Sequence, residues 1–246
     1  MITSRHDHGT SVWEDGRQVG IEQAPNSVAV ISIEPRELIE GGVHIRCEQQ
    51  GIWVTEEDET GWKDWIADFD RLSWTAMEQS VDARYFPSGR VFSDPAENDA
   101  EGAHAQSVLH LSMLSPVLLP DEPVGIGAVW EMNQVAEIAA VATLIQRRYR
   151  LRAMQGSRIV VEMSQRHVST PGPTPTSTHD SAELVSREAI VQGEAVMDLT
   201  LPGPVSGWFE SDYTSSYRAY KGTEATEVVS RTSFRHSWEP YEAEQE

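Results

Sequence analysis

Along most of the chain apolar and polar residues alternate with a period of two, the spacing of strands whose side chains point to opposite faces. Val28 to Ile33 (VAVISI) is a short apolar run, and Val43 to Val54 alternates loosely around Gly51; both predict strands. Further on, Tyr149, Leu151 and Ala153 alternate with Arg148, Arg150 and Arg152. Gly156 follows, and Ile159, Val161 and Met163 begin a second row, so a hairpin is predicted. From Val185 the odd positions Val185, Ala189, Val191, Ala195, Met197, Leu199 and Leu201 are apolar. The even ones include Ser186, Glu188, Gln192, Glu194 and Asp198. This predicts one long strand with its odd set inward, bulged at Gly193. Pro202-Gly203-Pro204 then turns the chain. Val205, Gly207, Phe209, Tyr213 and Tyr217 predict the next strand, and Val228, Phe234 and Trp238 the last. Residues 126–238 thus read as an antiparallel meander of about five or six strands, longer than the usual five or six residues each.

Two segments break the pattern. Trp62, Trp65, Ile66, Phe69 and Leu72 form a helical stripe within 61–72, and Ala105, Val108, Leu109 and Met113 form another within 103–114. Residues 1–25 are polar and aperiodic, which predicts a mobile arm. Ser169 to Ser181 is rich in Pro and Thr and predicts a long exposed loop. The expected organisation is therefore an arm (1–25), one β-rich domain (26–238, in halves 26–118 and 119–238), and an acidic tail (239–246).

Composition narrows the function. With 39 acidic and 19 basic residues the 246-residue chain carries a formal charge of −20, which repels nucleic-acid phosphates, so no nucleic-acid partner is expected. Cys47 is the single cysteine, which excludes an intramolecular disulfide and a cysteine-based zinc site. No apolar run is long enough for a transmembrane helix and none resembles a signal peptide. The expectation is a cytoplasmic protein, or an envelope one only if a leader was removed.

Motifs for catalysis are missing. Gly125-Ile126-Gly127 has prolines before it, no third glycine and strand-like residues after it, so it reads as a turn rather than a dinucleotide loop. Ser206, between Gly203 and Gly207, is one place late for a nucleophile elbow. His6-Asp7-His8 lacks a third anchored ligand, and Glu56 to Glu59 lacks the glycine-centred loop of a calcium site. Neither catalytic residues nor a cofactor nor a metal is assigned. Arg147, Arg148, Arg150, Arg152, Arg158 and Arg166 stand close together in an acidic chain. They predict either cross-strand pairing with rows such as Glu188 and Glu194, or a cationic patch at Arg148, Arg150 and Arg152 for an anionic group or a partner protein.

The stretch LPDEPVGIGAVWEM, followed by a Tyr-x-Leu hairpin and by GEAVMDLTLPGPVSGWFESDYTSSY, resembles an uncharacterised group of bacterial proteins. Those are similar in turn to lipoprotein carriers of the LolA and LppX type. The matching covers residues 119–238 through structural turns. The resemblance implies a mainly β (α+β) fold, a large curled antiparallel half-barrel with one or two helices on its concave face. It also implies a non-enzymatic protein that holds a lipid-like, hydrophobic or amphiphilic ligand. Candidate groove residues are Trp74, Val108, Leu109, Met113, Trp130, Met163, Met197 and Trp208. The competing expectation is an interaction or scaffold protein with a filled core.

Overall fold

The computed structural model describes residues 2–54, 81–85, 91–93, 117–138, 141–174, 181–201, 203–221 and 224–240. They form β1 (Ile2–Glu14), β2 (Arg17–Ile39), β3 (Gly42–Val54), β4 (Val81–Tyr85), β5 (Val91–Ser93) and β6 (Val129–Ile138). The second half adds β7 (Val141–Gln155), β8 (Arg158–Ser169), β9 (Gly172–Thr174), β10 (Ser181–Asp198), β11 (Pro204–Lys221) and β12 (Glu224–Pro240). All belong to one open 12-stranded antiparallel sheet in the order β5-β4-β3-β2-β1-β12-β11-β10-β8-β7-β6, with β9 beside β10. The expected long-stranded meander is present as β6 through β12. No helix occurs among the described residues; both expected helices, the acidic run 56–59, Trp74, Val108, Leu109 and Met113 lie outside them.

The polar segment read as a mobile arm instead supplies β1 and the start of β2. Its turn explains why. Asp15 and Gly16 both have positive φ, 45° and 79°, the pair of conformations a type I′ hairpin turn needs. Polar strands follow on either side because β1 is not held by an apolar stripe of its own. It is held by backbone pairing to β2 and to β12, with Thr10 opposite Thr232 and their hydroxyls 3.1 Å apart. The Pro/Thr loop is likewise part strand, since Gly172–Thr174 pairs with residues 182–184.

Burial alternates along β8 and along β7 as far as Leu151, so each has a core face and an outer face; a register slip between Leu151 and Ala153 then leaves Ala153 exposed rather than inward with Tyr149 and Leu151. Tyr149, Leu151, Ile159, Val161, Met163, Ala195, Met197 and Trp238 make one buried cluster with Val117. Each large aliphatic member contributes about 2 kcal/mol by leaving water. The chain entering β6 lies on this cluster through Leu118, Leu119 and Val124. Gly125-Ile126-Gly127 closes a turn there: Ala128 N donates to Gly125 O at 3.0 Å, and Gly127 N donates to Leu151 O at 2.8 Å. The turn reading holds.

In β10 the register slips between Leu184 and Ser186 and between Val196 and Met197, not at Gly193, which pairs regularly with Met163 and Phe209. The first slip changes the parity of β10, whereas the second inserts Val205 of β11 and leaves Met197 inward. Leu184 is therefore buried and Val185 39% exposed, while Leu199 and Leu201 fall in the turn and are exposed rather than inward. Gly193 serves close approach instead: a Cβ there would meet the carbonyl of Trp208 and lie 2.8 Å from Phe209 Cα. Its lack of a side chain lets β11 sit tightly on β10.

Candidate functional site

The core face divides along its strands into two chemistries. Toward Leu151 and Met197 it is apolar. Trp130 and Met132 project from β6 half-buried, Trp130 stacks on Tyr149 with ring centroids 5.5 Å apart, and its indole N–H donates to Leu118 O at 2.7 Å. Phe209, Phe234, His236 and Trp238 continue the aromatic surface across β11 and β12. Of the residues expected to line a groove, Trp130, Met163 and Met197 are therefore brought together, with both methionines packed into the closed core.

Toward Thr143 the same face mixes buried apolar residues, Val141, Ile145, Leu184 and Ala189, with polar ones. Thr143, Ser169, Arg187 and Ser215 form one row across β7, β8, β10 and β11. The Thr143 and Ser169 hydroxyls lie 2.8 Å apart, and Arg187 donates to Ser215 Oγ at 3.2 Å and to Tyr217 Oη at 2.8 Å. One row on, His167 is buried, its Nε2 3.2 Å from Gln165 Oε1, and its ring meets Tyr213 edge-on at 6.1 Å. Burial, helped by the charge of Arg147, lowers the His167 pKa to about 4, so the ring is neutral at pH 7. Burial also raises the Tyr149 and Tyr213 phenols above their ordinary value.

Arg147 stands at the border between the two halves. It is half-buried, pairs across strands with Met132 and Gln165, and its Nη1 donates to Gln134 Oε1 at 2.9 Å. Among the described residues no carboxylate lies within ion-pair distance of it. The odd parity of Arg147 and His167 is the sequence signal for this region, since odd positions of β7 and β8 carry Tyr149, Leu151 and Met163.

The outer face is different. Arg148, Arg150 and Arg152 all point there, as expected, but among acidic neighbours. Arg148 lies 3.8 Å from Glu131, Arg152 2.7 Å from Glu162 and, beyond them, Arg166 3.0 Å from Glu188. Cross-strand pairing thus accounts for Arg148 and Arg152, at less than about 1 kcal/mol for each exposed pair. Trp208 stands on this face too, opposite Glu194 and 38% exposed, so it is separated by the sheet from Trp130 and Met163. Its even number, in a strand whose odd positions face the core, carries that signal. Val129, Arg148, Arg150, Glu162, Gln192, Glu194 and Trp208 line a depression of about 460 Å³.

No protein-family model matches the chain, and no curated protein is significantly similar to it.

Among the described residues no three His, Cys, Asp or Glu side chains could jointly hold a metal ion, and no helix is long and apolar enough to cross a membrane. Ser206 lies within β11, paired with Val196, rather than on a strand-to-helix turn. This region presents an aromatic and thioether surface next to hydroxyls, amides and guanidinium groups.

Proposed function

We propose that the protein is a non-enzymatic binding protein that holds an amphiphilic, lipid-like ligand against the core face of its sheet. The observation that carries this reading is the division of that face: half-buried Trp130, Met132 and Phe209 at one end, and Arg147, Gln165 and His167 next to them along the same strands. A purely structural core gains nothing from placing hydroxyls, amides and a guanidinium beside its aromatic cluster, because each buried polar group needs a partner. In this reading the sheet curls around its contents, and residues 61–72 and 103–114 close over them as helices, as their apolar stripes predict. The expectation drawn from residues 119–238, through an uncharacterised bacterial group similar in turn to the lipoprotein carriers, is of the same kind.

The test is solvent extraction of the purified protein followed by mass spectrometry, with titration of stripped protein by acyl ligands. Recovery of an amphiphile, and a saturable tryptophan fluorescence change that Trp130→Phe diminishes, are the expected results. Protein that yields no amphiphile and gives neither heat nor fluorescence change with any acyl chain sinks the reading.

The outer face favours a second reading, an interaction protein with a filled core. Trp208 and Arg150 in an open depression are the residue types that dominate protein interfaces. Here a partner cross-linked to the wild type would be lost with Trp208→Ala and retained with Trp130→Phe.

A further inference from the structure

Resting on the amphiphile reading and deepening it, we propose that Arg147 anchors the head group of the ligand and that this head group is a carboxylate. The hydrogen-bond partner of this guanidinium among the described residues is neutral, the Gln134 amide at 2.9 Å. Five N–H donors in a planar fork leave it able to take a carboxylate through two parallel bonds. Around it stand further polar groups without charge: Gln165 directly across on β8, and His167 one row away with a buried Nδ1 that has no partner among the described residues.

The apolar chain has a continuous path from that point. Met132 is the direct cross-strand partner of Arg147, and Trp130, paired with Tyr149, is the next inward residue along β6. An extended amphiphile lying over the core face of β6 and β7 therefore meets the guanidinium and the thioether, then stacked aromatic rings. A carboxylate is favoured over a phosphate monoester on charge. One guanidinium with amide and neutral imidazole neighbours balances one negative charge, whereas a phosphate near neutral pH carries about 1.5 to 2.

Calorimetric titration of the full chain with decanoate and with decanol, below their aggregation concentrations, tests this. Wild type is expected to bind decanoate about tenfold more tightly than decanol. Arg147→Gln should bring the two affinities together without weakening decanol, and Arg148→Gln, one residue on and facing outward, should keep the preference. Arg147→Met, which preserves the packing of the side-chain stem, is the second variant if the glutamine disturbs folding. Equal binding of both ligands by wild type, or a preference that survives loss of Arg147, overturns the carboxylate anchor and leaves the amphiphile reading standing. Binding of neither ligand overturns both.

Discussion

A buried histidine makes the clearest single-residue statement. His167 sits on the core face with burial, and then the Arg147 charge, holding its pKa at about 4 against an ordinary 6.5. Because the folded-state value is depressed, the unfolded chain takes up the proton first as pH falls. The stabilisation is complete above about pH 6.5 and is lost progressively down to about pH 4. The full shift corresponds to about 3 kcal/mol, which screening at this partly hydrated site reduces to about 1–2 kcal/mol. Urea denaturation at intervals between pH 7 and pH 4 should show that fall in wild type and a shallower one in His167→Gln. Parallel profiles for the two proteins would mean that His167 does not titrate differently in the folded state.

At the scale of elements, the N-terminal hairpin gives a second prediction. Gly16 lies at φ 79°, and a Cβ added there would meet nothing within 4 Å, so Gly16→Ala introduces no clash and reports backbone strain alone. It should cost about 1 kcal/mol and lower protection of β1 amides from hydrogen exchange more than those of β8. Uniform loss of protection would show that β1 opens only with the whole sheet. The same hairpin shows what a sequence does and does not disclose. The strands β7, β8, β10, β11 and β12 were legible because their alternation is long and their turns carry Gly or Pro. The alternation of β1 is polar, and its partner Thr232 is 222 residues away from Thr10, a pairing that no local window contains. Asp15-Gly16 was the available signal, and polar composition masked it. Bulges hid the rest: one inserted residue at Val185 reverses which side chains of β10 face inward, and nothing in the spacing marks it. For the candidate site, Trp130, Met163 and Met197 could be read from size and parity, while Arg147 reads as one of a row of arginines and His167 carries no local signal beyond its odd position until the register sets them beside Met132 and Tyr213.

An open sheet of this length raises the question of what keeps molecules apart. Among the described residues β6 pairs with β7 alone, so its other edge has no partner strand among them, and Val135 on it is 70% exposed. Such an edge is a template for another strand. The opposing effect is charge: at −20 two copies repel one another, and Glu131 adds to this on β6 itself. Repulsion weakens as pH approaches the isoelectric point near 4.7 and as salt shortens its range below about 10 Å. Light scattering behind size-exclusion chromatography should therefore show monomer at pH 7 in low salt. Larger species should appear as pH is lowered toward 5, with the far-UV circular dichroism unchanged. Val135→Lys places a charge on the edge and should suppress them. Ile190→Lys, at a site 62% exposed on β10 within the sheet, should not, although it adds the same charge. Each lysine makes the chain less negative and so, through overall repulsion alone, favours association; suppression by Val135→Lys only would assign association to the β6 edge, and suppression by both variants or by neither would overturn that assignment.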